Sequence, residues 1–239
     1  MKELLVKDFL LVCNPPETPP RVTQEYLEHN HAPLALSVPL ISSKMQLYTM
    51  NHVVEAVAGD CCLYPPVERI ATVVEHGLGG WQSLAQIMAD PEYVTRIRPD
   101  EEYMVTHIMD GWPQFIAITA EQPVFTSDTL GDLRMLDFVR RPAGLARETF
   151  LTELRADAAW AVANRRYRSG AAKRVHSIAV PASAPIGLEG EAFDAVIEVW
   201  IAATEELESL VDEQRQRRAS FCDPTRSRTV LTRERRIRG

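Results

Sequence analysis

The sequence is poor in the features that would place it in several large functional classes. It has four cysteines, Cys13, Cys61, Cys62 and Cys222, in 239 residues. Their spacing fits no zinc motif, and adjacent cysteines such as Cys61 and Cys62 seldom form a useful bridge. Free thiols in a reducing, cytoplasmic compartment are the expectation. No apolar run approaches the roughly 20 residues that span a bilayer, and Met1-Lys2-Glu3-Leu4-Leu5 does not read as a basic-then-apolar leader. Positive charge is short as well: 26 Lys and Arg against 33 Asp and Glu leave a net charge of −7. That balance argues against nucleic-acid binding, which needs a basic surface. The one basic stretch, Arg215 to Arg238, reads as a solvated, partly frayed terminus. The glycines Gly77, Gly79 and Gly80 lack the Gly-x-Gly-x-x-Gly spacing of a dinucleotide loop. Among six histidines only His29 and His31 share an element, and two positions apart on a helix they cannot converge on one ion. No metal site, no cofactor, no nucleic acid and no membrane are therefore expected.

What is present is the pattern of a soluble globular protein, 46% apolar and 25% charged. Asp8–Cys13 is an apolar run of strand length, broken by Pro15, Pro16, Pro19 and Pro20. Thr23–Asn30 reads as a helix with Thr23 as its N-cap, stopped by Pro33. Met45–Val54 and Glu68–Glu75 read as strands, and Trp81 opens a second helix that ends near Asp90-Pro91. Tyr103–Ile108 and Phe115–Thr119 are candidates for a closing strand. After Gly131 the order begins again: strand Leu133–Val139, helix Ala146–Ala163, strands Arg174–Val180 and Phe193–Ile201, helix Glu205–Arg218, and a last strand around Val230. Each half, 1–125 and 126–239, thus reads β-α-β-β-α-β, a ferredoxin-like plan of the α+β class. Helices cover one sheet face, so the other seeks a partner. Two halves packed sheet to sheet would make a single-chain dimeric α+β barrel, an internal pseudo-dimer with room for further homodimerisation.

The chemistry concentrates at the end of the first helix. His31 carries the side chain whose ordinary pKa lies nearest neutrality, suited to proton transfer. The structural alternative is that it caps helix carbonyls, where a charged imidazole meets the helix dipole favourably. His29, two positions earlier, points to the opposite side and reads as a surface residue. Tyr48 and Asn51 differ by three positions, so a regular strand turns them to opposite faces. Tyr48 is favoured for the site because a phenol can donate to a developing oxyanion while packing its ring. Glu75 and His76 end their strand where they could reach a pocket. Trp112, in the turn Asp110-Gly111-Trp112-Pro113, is less easily explained by a core than Trp81, Phe115 or Trp200. Glu198 alternates with Val196 and Trp200 on one face of its strand, facing either solvent or a pocket.

The run Gln24-Glu25-Tyr26-Leu27 followed by His31-Ala32-Pro33-Leu34 resembles the first helix and signature of the EthD-like family. Glu68-Arg69-Ile70-Ala71 is similar to that family's third strand, and Trp81 to Asp90 with Arg98-Pro99-Asp100-Glu101-Glu102 to its second helix and exit. In the second half, Phe193 to Trp200 and Arg141 to Phe150 match, but Arg155-Ala156-Asp157-Ala158 stands where the first half has His-Ala-Pro-Leu. The second half therefore looks degenerate, with one functional pocket in the first. The resemblance implies a dimeric α+β barrel and favours His31 as the proton-transfer group, with Tyr48 beside it. Asn51, Glu75, His76, Trp112 and Glu198 are the candidate substrate contacts. The implied function is a cofactor-independent lyase or isomerase acting on a small aromatic, lactone or polyketide-like substrate. A non-catalytic ligand-binding or accessory protein of a degradation pathway is the alternative, and cofactor-free monooxygenation the third reading.

Overall fold

Alternating apolar residues in the strands and proline-punctuated helices build two units. The computed structural model describes residues 6–54, 62–127, 131, 133–179 and 193–238. Val180, Cys61 and residues 1–5 lie outside them. Unit 1 comprises residues 1–53, 68–117 and 234–239, and unit 2 comprises 54–67 and 118–233.

Unit 1 begins with β1 (Val6–Cys13), followed by α1 (Pro20–Tyr26), a π turn at Leu27–His31, α2 (Ala32–Ser37) and α3 (Pro39–Lys44). Then come β2 (Met45–Val53), β3 (Ile70–Leu78), α4 (Trp81–Ala89), a second π turn at Tyr93–Ile97 and α5 (Arg98–His107). β3 lies between β1 and β2, antiparallel to both. Strand parity divides the sheet. Leu10, Val12, Tyr48, Met50, Val74 and Leu78 pack with Leu27, Ile41, Ile87 and Ile97 of the helices into one core. Lys7, Phe9, Thr49, Asn51 and Glu75 occupy the alternate positions.

Strand β4 (Gln114–Thr126) leads into unit 2, which contains β5 (Leu133–Val139), α6 (Arg147–Ala163), α7 (Arg165–Gly170) and β6 (Ala171–Ala179). It continues with β7 (Ala195–Ile201), α8 (Thr204–Glu208), α9 (Val211–Arg218) and β8 (Arg228–Arg238). The antiparallel order in unit 2 is β8-β5-β7-β6-β4. Its core joins Met135, Ile197, Val199 and Leu231 of the sheet to Phe150, Leu154, Leu207 and Phe221. Along the chain the order strand-helix-strand-strand-helix-strand occurs twice, the helical segments being subdivided, but β4, the last strand of the first run, pairs with β6 in unit 2.

Four expectations change. The first helix starts at Pro20, not at a Thr23 cap; Thr23 is buried inside it and its hydroxyl donates to the Ile108 carbonyl at 2.8 Å. Pro33 does not stop that helix: its backbone passes through the π turn and continues to Ser37. Tyr103–Ile108 is not a strand, since residues through His107 belong to α5, where Tyr103 stacks on His107 one turn later. The Arg215–Arg238 stretch is not a frayed terminus. It forms the end of α9 and all of β8, and Arg218 is buried against Asp137 at 2.8 Å. Charge counted along a sequence does not reveal a buried partner 81 positions away.

Candidate functional site

Two prolines shape the site. Pro33 and Pro99 each sit second in a helix that follows a π turn. A proline ring collides with the carbonyl four residues back and offers that carbonyl no N–H. The chain responds by widening. The N–H of Ala32 bonds the Leu27 carbonyl, and that of Arg98 bonds the Tyr93 carbonyl, each a step of five residues. One such turn carries His31 as its last residue; the other carries Tyr93 and leads directly into Arg98, Asp100 and Glu101. Widened turns of this kind re-aim side chains that a regular helix would place elsewhere.

The side chains meet between those helices and the sheet. His31 Nδ1 lies 2.8 Å from Asp100 Oδ2, with both side chains 14% exposed. The Tyr26 hydroxyl donates to the other Asp100 oxygen at 2.7 Å. The hydrogen bond from His31, joined by that from Tyr26, holds the Asp100 carboxyl below the usual carboxylate range. An anionic Asp100 fixes the proton on Nδ1 and leaves Nε2 as the ring's acceptor.

Glu101, the next residue, has the opposite environment. Burial pushes its carboxyl above the ordinary range, although the Tyr93 hydroxyl donates to it at 2.8 Å and Arg98 stands 3.4 Å away. Tyr48 is buried, and its proton is held well above the ordinary phenol range by desolvation and by the fields of Glu101 and Asp100. Its ring meets the edge of His76 at 4.9 Å, and His76 Nδ1 lies 3.0 Å from Asp8 Oδ1. The Arg98 guanidinium lies 5.6 Å from the Tyr93 ring centroid and 5.5 Å from that of Trp112, which is 53% exposed.

Of the residues expected at the site, His31, Tyr48 and His76 gather on this helix-covered face, and Trp112 lies beside Arg98 at its margin. Asn51 does not join them. As the parity argument requires, it occupies the alternate position, where its side-chain amide donates to the Val73 carbonyl at 3.0 Å. Glu75 is likewise on the alternate face, paired with Lys7 at 2.6 Å. β3 continues to Leu78, so neither Glu75 nor His76 sits at a strand end. Glu198 lies in unit 2, buried in contact with Arg134 and Ser177. His29 is exposed, as expected. His52 lies 3.4 Å from Glu28, apart from the cluster.

Sequence reasoning missed Asp100, Glu101, Tyr26, Tyr93, Arg98 and Asp8. The usable signal was Pro99: like Pro33 it stands two residues after a five-residue segment that ends a helical turn. Two carboxylates following it, separated in environment, are the kind of pair that divides acid from base work. Among the described residues no group of three or more His, Cys, Asp or Glu could hold a metal ion, and no helix is long and apolar enough to cross a membrane.

No protein-family description matches the sequence, and no curated protein matches it. Solved structures do. An anthrone oxidase-like protein superposes with a TM-score of 0.61 at 12% identity, covering 98% of this chain and 93% of its own. A candidate monooxygenase from Fusobacterium nucleatum gives 0.56 at 6% identity over 100% and 97%. Chlorite dismutase from Candidatus Nitrospira defluvii gives 0.55 at 10% identity over 95% and 90%. At such identities the likeness speaks for the fold alone: the chain shares the α+β fold of these structures.

Proposed function

We propose that unit 1 carries a cofactor-independent acid–base active site centred on His31 and Asp100, of the EthD-like kind. The observation that carries this reading is the orientation of His31. Asp100 engages Nδ1 while itself taking a bond from Tyr26, which is the arrangement that keeps an imidazole in one tautomer and steadies it when it gains a proton. The His31-Ala32-Pro33-Leu34 run adds support, because Pro33 follows the π turn that presents His31.

The preferred reaction is that of a lyase or isomerase on a small aromatic, lactone or polyketide-like substrate. In a dehydration, His31 Nε2 takes the proton from the carbon beside a carbonyl. The Tyr48 hydroxyl donates to the resulting enolate oxygen. The Glu101 carboxyl gives its proton to the departing hydroxide, which leaves as water, and the proton on His31 then returns to Glu101 through solvent. General acid–base steps of this kind contribute roughly 10²–10⁴-fold each. Arg98 and Trp112 suit the flat, anionic edge of such a substrate. His76, turned toward Tyr48 and held by Asp8, fixes the phenol's position. The expected compartment is cytoplasmic and the expected partner a small molecule.

Cofactor-free oxygenation is the second reading. The same base would deprotonate a phenol or anthrone-like carbon acid, whose anion would react directly with dioxygen. The anthrone oxidase-like and monooxygenase neighbours favour it. A purely ligand-binding role gains less support, since a binding pocket does not need two adjacent carboxylates of opposite titration. The test is to incubate the protein with aromatic acids, phenols, anthrones and lactones, following products by mass spectrometry and dissolved oxygen with an electrode. Loss of water or carbon dioxide without oxygen uptake supports the lyase reading. Stoichiometric uptake replaces it with oxygenation. Turnover of no compound, with saturable binding of one, leaves the binding role.

A further inference from the structure

The second unit was expected to be degenerate, yet the positions aligned with the histidine motif of the first fall around Asp157, and Asp157 anchors a second polar cluster. It lies between α6 and α9 on one side and β5, β6 and β8 on the other. Arg174 is paired with Asp157, Arg218 is 2.8 Å from Asp137 and 3.4 Å from Asp157, and Thr229 donates to Asp137 at 2.6 Å. The Arg174 Nε donates to His176 Nε2 at 2.9 Å, so the neutral ring carries its proton on Nδ1. Burial and the Arg174 charge hold His176 well below its ordinary range, and hence neutral. Arg174, His176, Asp137, Asp157, Arg218 and Thr229 are each at most 1% exposed.

The cluster is not closed upon itself. Arg174 Nη1, Arg218 Nε and Nη2, His176 Nδ1, Asp157 Oδ1, the Tyr167 hydroxyl and, one turn before Arg218 on α9, both side-chain amide atoms of Gln214 are buried and find no hydrogen-bond partner among the described residues. Each such group costs about 1–3 kcal/mol if left unmet, and native proteins bury few of them. Most of these atoms are donors. The charges point the same way. The buried guanidinium groups of Arg174 and Arg218 balance the carboxylates of Asp137 and Asp157, and Arg217, one third exposed with its Nε 3.8 Å from Asp157, adds one positive charge at the edge of the cluster. A thiol and a phenol close by, Cys222 and Tyr64, add none, because burial raises both.

We infer that unit 2 contains an internal binding site for one small monovalent anion, halide or carboxylate, held by Arg174 and Arg218 with Tyr167, His176 and Gln214 as neutral donors. This site is independent of the His31 centre, lying in the other unit and using none of its residues. It explains why these buried side chains keep polar atoms without partners and why two buried arginines stand beside Asp157.

The test compares the full chain in sodium gluconate, sodium chloride, sodium bromide and sodium formate at equal ionic strength. After prolonged incubation, the melting temperature should rise saturably with chloride and bromide, with formate, or with both sources, relative to gluconate. Whichever is effective identifies the halide or carboxylate source. In Tyr167→Phe and Gln214→Leu, which each remove neutral donors and leave the ion pairs intact, the half-saturating concentration should rise at least tenfold. Crystals grown in bromide should show an anomalous peak within hydrogen-bond distance of Arg174 and Arg218 if the halide is the ligand; those grown in formate should show a planar density there if the carboxylate is. Ordered waters alone at these donors, equal melting temperatures in all four salts, or a rise unaffected by both substitutions would each overturn the assignment.

Discussion

Replacing His31 by alanine tests the proposed chemistry most directly, and its three consequences differ in size and kind. In turnover, loss of a well-placed general base costs roughly 10²–10⁴-fold, or about 3–5 kcal/mol at 1.36 kcal/mol per decade. In stability, the His31–Asp100 contact is a charge-assisted bond worth about 1.5–3 kcal/mol when enclosed; with 14% of each side chain still in water, about 1–2 kcal/mol is the better figure. For a chain of this length that is a fall in melting temperature of roughly 2–8 °C, leaving the fold intact. In electrostatics, the hydrogen bond from His31 is the largest cause of the lowered Asp100 carboxyl, so its titration in the variant moves up toward the ordinary carboxylate range. The sign is fixed by linkage. A lowered carboxyl stabilises the fold above its unfolded pKa and loses that contribution as pH falls through the folded value, so the variant should show a shallower loss of stability on acidification below about pH 5. Steady-state kinetics on a confirmed substrate, thermal melts from pH 3 to 7 and carboxyl-carbon NMR of Asp100 measure the three. Added imidazole should restore part of the rate by occupying the vacated position. Unchanged turnover, or an Asp100 titration that does not move, refutes the reasoning.

Glu101→Gln keeps an acceptor for Tyr93 but cannot give up a proton, so kcat should fall by at least tenfold and the alkaline limb of the pH–rate profile that Glu101 sets should disappear; an unchanged profile assigns the acid elsewhere. Pro33→Ala removes the ring clash that favours the widened turn, letting Leu27–His31 tighten toward an α-helix and turning His31 off Asp100; turnover should drop on the order of 10²-fold, while the melting temperature falls by no more than in His31→Ala because the relieved helix offsets part of the lost contact. Trp112→Ala, at a site 53% exposed, should raise KM for an aromatic substrate several-fold with kcat and melting temperature unaltered, as loss of uniform binding requires. Asp157 is lowered to about 2 by Arg174 and Arg218, against the cost of burying it; its contribution of about 2–3 kcal/mol is fully present above pH 4–5 and lost as pH falls toward 2, so acid melts of wild type should steepen there and those of Asp157→Asn, less stable throughout, should not.

The sequence made the strands legible because their signal is local. Leu133–Val139 has the same bounds in the structure as in the periodicity, and Met45, Trp81 and Ala163 mark element ends as read. Parity alone separated Tyr48 from Asn51, and register confirms the split: Tyr48 faces His76 across the ladder and Asn51 faces Val73. The helices were harder. A proline after a histidine is a sound stop signal in isolation, and it misled here because the clash was relieved by a π turn instead of by chain termination. The partners of His31 were hidden for a different reason. Asp100 stands 69 positions away and carries no periodic signature, so only the packing of α5 against the first helix brings it to 2.8 Å. Glu101 could not be told from Asp100 on paper, since what separates them is the depth at which each is buried.

The same distinction bears on the arginine-rich second unit. Read as a string, Arg215 to Arg238 is a surplus of positive charge at a terminus, and surplus charge normally means solvent. Arg218 and its neighbours in the core break that rule only because carboxylates from β5 and α6 meet them. A buried ion pair is weak evidence for stability, because desolvation consumes most of its attraction, and a hydrophobic cluster of equal volume would serve a purely structural purpose as well. Donors left unmet around such pairs lower their structural value further. The persistence of Arg174, His176, Tyr167 and Gln214 as buried polar groups in a unit otherwise packed with Phe150, Leu154, Ile197 and Phe221 is therefore better explained by something those donors hold than by the fold they occupy.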